Sequence, residues 1–106
     1  VSYTNYTNID SHFMRAYEPG DRLVRGWTSE LPFVVTPELL METAEVLFML
    51  HNRDDRPDGQ LCPSMSVGDV IVIGETAVSV ASFGFEVVQL DANDIINDRT
   101  WKEVIA

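Results

Sequence analysis

The stretch from Pro63 to Val88 constrains the fold of this chain more than any other. Two runs rich in β-branched residues flank the Gly74-Glu75 break, and a third follows the Phe83-Gly84-Phe85 corner. Runs of this kind, bounded by turn residues and free of internal proline, are the signature of short sheet strands. They predict a small antiparallel meander. Glycine between two phenylalanines in such a run is unfavourable unless the backbone needs it, so Gly84 is expected at φ > 0 or in close contact with a neighbour. The Ser66-Val67-Gly68-Asp69 segment lacks the glycine spacing and lysine of a phosphate loop, and an acid at Asp69 would repel phosphate. It reads instead as a turn in which Gly68 permits the tight backbone and Asp69 binds local amides, launching a strand at Val70.

A chain of 106 residues with 45% hydrophobic content is one domain, 1–106, able to bury a single modest core. Its one cysteine, Cys62, cannot form an internal disulfide, and no basic cluster adjoins it, so it reads as a small buried hydrophobe. No apolar run approaches the roughly 18 residues that span a bilayer, and the amino end has no signal-peptide pattern, so a cytoplasmic protein without a membrane partner is expected. The formal charge of −10 argues against direct nucleic-acid binding, which rests on cations displacing counterions. A charge-driven partner would be basic.

Upstream of the meander, Val1 to Asp10 is polar with weak alternation, compatible with an edge strand or a loose arm. Glu18-Pro19-Gly20-Asp21 is a turn. Arg22 to Thr28 alternates as a strand, but strict alternation sets Arg25 beside Leu23 and Trp27, so either that face lies at an edge or Gly26 bulges the strand and turns Trp27 inward. Thr36-Pro37-Glu38 opens a helix: threonine to cap, proline at the first position, an acid at the positive end of the dipole. The helix runs to about His51, with Leu39, Leu40, Thr43, Ala44, Val46, Leu47 and Leu50 on a broad apolar face and Glu38, Glu42 and Glu45 along one side. Met41, Phe48 and Met49 carry apolar character beyond that stripe. After the meander, Asp91 to Asn97 reads as a short helix capped by Asp91, and Trp101, Val104 and Ile105 as a last apolar element. The expected architecture is α+β, with an antiparallel sheet of about three to five strands against one main helix and a short C-terminal helix.

Catalytic and metal patterns are weak. Asp54, Asp55 and Asp58 lack the alternate spacing, central glycine and distal Glu of a calcium loop, and Arg53 and Arg56 are interleaved with them. His12, His51 and Cys62 are not spaced as a zinc set, and a Cys62 nucleophile with a histidine base is a pairing any such composition allows. No cofactor is expected.

The residues Leu61, Pro63 to Ile71 and then Val80 to Val87 resemble the YodL-like domain, whose pattern is a Ser-Leu-Ser-Val-Ser-Asp-Val-Val type segment followed by an aromatic strand ending in Asp-Ser-Phe-Gly-Phe. The family also has an amphipathic helix upstream, as Pro37 to His51 supplies here, so the resemblance covers roughly residues 31 to 88. Met65 stands in place of leucine, Gly68 of serine, Ala81 of an acid, and Val78 and Val80 of tyrosines. The resemblance implies an accessory protein of a phage, plasmid or other mobile element, without established catalytic residues, acting on components of a host bacterium.

The expectation is therefore a non-enzymatic acidic protein that binds a host protein, with counter-defence as one use. Its candidate acidic face comprises Glu38, Glu42, Glu45, Asp54, Asp55 and Asp58, its candidate apolar patch Met41, Phe48 and Met49, and its structural motif Ser66, Gly68, Asp69, Phe83, Gly84 and Phe85. A narrower alternative is a DNA mimic that presents carboxylates to a basic groove. Another is a small enzyme using Cys62 or the histidines.

Overall fold

The computed structural model describes residues 1–11, 14–53 and 64–97. The expected positions His12, Asp54, Asp55, Asp58, Cys62, Trp101, Val104 and Ile105 lie outside them. The protein is α+β, as expected, but the sheet is larger. Strands β1 (Ser2–Asn8), β2 (Leu23–Glu30), β3 (Val70–Ile73), β4 (Thr76–Val80), β5 (Phe85–Val88) and β6 (Ile95–Asn97) form one six-stranded sheet in the order β5-β4-β3-β1-β2-β6. The meander β3-β4-β5 is antiparallel throughout, whereas β2 and β6 run parallel.

The amino-terminal segment is neither an edge nor a loose arm. β1 pairs antiparallel with β2 on one side and with β3 on the other. Its polarity hid this role, because Asn5 and Asn8 are buried together with Tyr3. The two halves of the chain thus meet at β1.

Gly26 resolves the conflict in β2. Asn5 lies opposite Trp27 and Tyr6 opposite Arg25, leaving Gly26 as the extra residue of a bulge. A bulge shifts the side-chain alternation by one residue. Leu23 accordingly faces one side of the sheet with Tyr17, Val70 and Ala77, while Trp27 packs on the other side with Tyr3, Ile71 and Val78.

That second side carries the helix. Pro37–Leu39 forms a 3-10 turn that leads into α1 (Leu40–His51). Pro37 opens the turn as expected, but the Thr36 hydroxyl caps nothing. The Thr36 carbonyl instead accepts from the Leu39 amide at 3.0 Å. Ala44 and Leu47 are buried against Ile71, Ile73 and Val80, with Leu40, Phe48 and Phe85 packed around them. The Phe48 and Phe85 rings meet edge to face at 5.8 Å, a favoured aromatic geometry.

The expected C-terminal helix is corrected. Asp91 does cap, accepting from the Asn93 amide at 2.9 Å, but the turn Ala92–Asp94 ends at Ile95 in an extended conformation. The β-branched Ile95 then pairs with Leu23 to start β6. Tertiary anchoring decides this, since the Tyr17 hydroxyl donates to Asp94 and accepts from the Asp91 amide, holding the turn against the sheet face opposite α1. Burial and the hydrogen bond to Asp94 push the Tyr17 hydroxyl up to about 12.

Of the four described glycines with positive φ, Gly20, Gly68, Gly74 and Gly84, two differ in what a side chain would meet. Gly84 has φ +76 in the turn whose Ala81 amide donates to the Gly84 carbonyl, and a Cβ there meets open space. Phe83 is consequently carried out of the strand and is 97% exposed, while Phe85 turns to the core. Gly68, at φ +99, has no such room, because a Cβ would run into the Ser11 side chain and stand 3.0 Å from the Arg15 carbonyl oxygen. Gly84→Ala should therefore destabilise by about 1–2 kcal/mol, the backbone penalty alone, and Gly68→Ala by clearly more, as compared by urea unfolding. On the helix, Leu47→Ala should cost about 2–5 kcal/mol, the range for a fully buried leucine. A loss below about 1 kcal/mol in the same measurement would mean that α1 does not cover the core.

Candidate binding surface

The surface starts from a buried polar node that fixes the sheet. Asn8 ends β1 with its backbone amide donating to Asp69 Oδ1 at 3.0 Å. Its side-chain amide donates to Asp21 Oδ2 at 2.9 Å and to the Gly68 carbonyl at 3.0 Å, while its Oδ1 accepts from the Asp10 and Ser11 amides. Asp69 takes a second amide, that of Ser66, at 2.9 Å, and its own carbonyl accepts from Val80 and the Ser79 hydroxyl. The Ser66-to-Asp69 turn is thus tied to both β1 and β4.

Electrostatics divide this node. The Arg15 guanidinium grips Asp21 with two bonds, at 2.6 and 2.9 Å, and with Asn8 holds its carboxyl far below the ordinary range against an opposing effect of burial. Arg22 holds Asp10 down to about 2 in the same way. Asp69 has no cation among its hydrogen-bond partners, and burial pushes it up to about 7 against the pull of its two amides. A carboxyl raised in the folded state contributes stability that is present below its unfolded value and lost as pH rises through about 7.

His51 belongs to the interior. Its ring is fully buried, with Nε2 3.2 Å from the Tyr3 hydroxyl oxygen and the two rings edge to face. Among the described residues, no group of three or more His, Cys, Asp or Glu side chains is placed to hold a metal ion. No helix of the described residues is long and apolar enough to cross a membrane.

The outer side of α1 is different in kind. Glu38, Glu42 and Glu45 are all exposed and run along the outward face of the 3-10 turn and helix. From Gly26 to Leu50 the chain contains no Lys or Arg to offset them. Apolar side chains flank this stripe on both sides. On one flank Leu31, Phe33, Leu39, Val46 and Leu50 line a groove of about 390 Å³ between α1 and the strap 31–36, with Glu42 at its rim. On the other, Phe48, Met49, Val67 and Phe85 line a second groove of about 390 Å³ beside Glu45.

This arrangement revises two sequence expectations. Leu39 and Val46, grouped with Leu40, Ala44 and Leu47 on one broad apolar face, are exposed, Val46 by 62%. At 3.6 residues per turn they fall beside Glu42 rather than beside Leu47 and Ala44. Within the apolar patch, Met41 and Met49 are exposed, while Phe48 is half-buried and engaged with Phe85. The groove with Phe33 was missed altogether. Its signal was the Leu31-Pro32-Phe33-Val34-Val35 run, apolar but too short and proline-broken to place on a helix or strand.

No protein-family model, curated protein or solved structure matches the chain.

The raised Asp69 carboxyl gives a checkable profile. Stability measured by urea unfolding should fall between about pH 4 and pH 7 through Asp69, by a magnitude of up to a few kcal/mol at about 1.4 kcal/mol per pKa unit. Below about pH 4 it should fall again as Asp21 and Asp10 are protonated. Asp69→Asn, which leaves one amide without an acceptor, should be less stable at pH 5 yet flatter from pH 4 to 7. An unaltered slope in that variant would assign the pH dependence elsewhere.

Proposed function

We propose that this chain is a non-enzymatic, acidic binding module that docks a basic partner protein over the outer face of α1. The observation that carries this reading is the exposed stripe of Glu38, Glu42 and Glu45 set between two apolar grooves. Interfaces of specific complexes combine desolvated apolar anchors with a polar rim, and complementary charge steers association. Exposed apolar side chains beside a one-signed stripe fit that pattern better than a coat serving solubility alone. The resemblance to the YodL-like domain supports placing the partner in a bacterial host invaded by a mobile element, with the protein acting in the host cytoplasm.

The same stripe supports the narrower reading of DNA mimicry. It is less favoured, because exposed Met49 and Val46 share the outer side of α1 with the glutamates, where a mimic calls for further charge.

Changing Glu38, Glu42 and Glu45 together to Gln preserves size and helix propensity while removing three charges. Affinity purification from bacterial lysate should recover a basic protein with the native chain and severalfold less with the triple variant, at nearly equal melting temperature. Binding should weaken as salt rises from about 0.1 to 1 M, where the screening length shrinks from about 10 to 3 Å. Capture that survives both changes would show the acids to be a solubility coat, and capture of a nuclease or repressor would favour mimicry.

A further inference from the structure

The two grooves beside the acidic stripe are not equivalent. The groove lined by Leu31, Phe33, Leu39, Val46 and Leu50 contains two polar side chains, Glu42 and Thr43. The Thr43 hydroxyl is already committed, donating to the Leu39 carbonyl at 2.8 Å. Its oxygen can still accept, and the Glu42 carboxylate is the one charged group among the side chains that line this groove. Along its length α1 satisfies its own amides and carbonyls, and the strap 31–36 forms no strand, so neither wall presents a sheet edge with which an extended segment could build a ladder.

We propose that this groove is the docking site for a basic amphipathic helix of the partner, an inference that rests on the acidic-module reading above. An extended segment laid here would bury its amides and carbonyls against leucine, valine and phenylalanine side chains without a ladder to receive them, which is strongly unfavourable. A helix arrives with its backbone bonds made and presents side chains at i, i+3, i+4 and i+7 to an apolar cleft. The groove follows α1, whose 12 residues extend about 18 Å, so three turns of a partner helix match its length. Charge complementarity selects the polar flank of that helix. With Glu42 lining the groove, Glu38 and Glu45 beyond it and no Lys or Arg from Gly26 to Leu50, lysines or arginines flanking the apolar ridge meet carboxylates along α1, and Arg53 stands one turn past Leu50 at its C-terminal end.

Three synthetic peptides of about 14 residues, near the length of α1, test this on the intact chain. One carries seven Leu at helical spacing, i, i+3, i+4, i+7, i+8, i+11 and i+12, with Lys at about seven other positions. The second has the same composition in strict Leu/Lys alternation, and the third replaces each Lys of the first by Glu. The first should bind with induced helicity by circular dichroism, perturbing the NMR signals of Leu39, Val46 and Leu50 but not Met49, and the other two should bind at least tenfold more weakly. Val46→Asp is the decisive variant, because Val46 is exposed and its replacement should not disturb folding. It should weaken the helical peptide at least tenfold, whereas purely electrostatic binding would tighten with the added charge. Met49→Ser should leave affinity unchanged.

Equal or tighter binding to Val46→Asp overturns the proposal, as does equal binding of the alternating peptide or no binding up to about 1 mM, which corresponds to about −4 kcal/mol. Perturbations confined to the Met49 side overturn the groove assignment and leave the acidic-module reading standing. Binding in the groove that is indifferent to salt and to the Glu38, Glu42 and Glu45 substitutions has the opposite consequence. A concentration-dependent dimer abolished by Val46→Asp would replace the partner helix by a second copy of the chain.

Discussion

The fold depends on one buried side chain whose hydrogen-bonding capacity is filled. Asn8 makes two donor bonds through its amide, to Asp21 and Gly68, and two acceptor bonds, from Asp10 and Ser11, while its backbone binds Asp69. A carboxamide has two donor hydrogens and two acceptor sites, so the group is saturated. Buried polar networks are stabilising when complete and strongly destabilising when broken. This one joins the end of β1, Asp10, Ser11 and Asp21 on the way to β2, and the turn that launches β3. A chain whose hydrophobic strands could slide past a polar β1 is held in a single register by it.

From that register follows the separation of the two sheet faces. Because Gly26 bulges β2, Trp27 joins the helix-side core while Leu23 stays beneath Tyr17 and Ile95. The face opposite α1 is covered by the chain's own loops, pinned by Tyr17 to Asp91 and Asp94. The helix face is covered chiefly by α1, a helix of 12 residues, with Leu31, Val35, Met65 and Val67 packed beside it. Such a helix buries one stripe and leaves its flanks to solvent. On α1 those flanks are apolar on both sides of an acidic ridge.

This contrast leaves exposed apolar side chains on the helix side, where the binding surface is proposed. The carboxylates that build the scaffold, Asp10, Asp21 and Asp69, have their oxygens engaged by arginine or backbone amides. Glu38, Glu42 and Glu45 are exposed and lie within a segment without a cation. Among the described residues acidity is thus of two kinds, one engaged internally in holding loops to the sheet and the other displayed. The net charge of −10 alone does not distinguish them.

The sequence by itself determined the local elements whose signals are short-range. The meander from Val70 to Val88, the Gly26 bulge as one of two options, the helix from Pro37 and the positive φ of Gly84 all follow from alternation, proline and glycine chemistry within a few residues. Tertiary structure alone decided what depended on distant partners. β1 became central because Asn8 finds Asp69 and Gly68 some sixty residues away, a match that no local pattern encodes. The segment after Asp91 became a strand rather than a helix because Leu23 offers a pairing edge and Tyr17 an anchor. Leu39 and Val46 were legible as apolar residues on a helix, but which side of that helix meets the sheet is set by packing against β3, β4 and β5. Burial is a property of the assembled layers, and apolar side chains left outside them become surface.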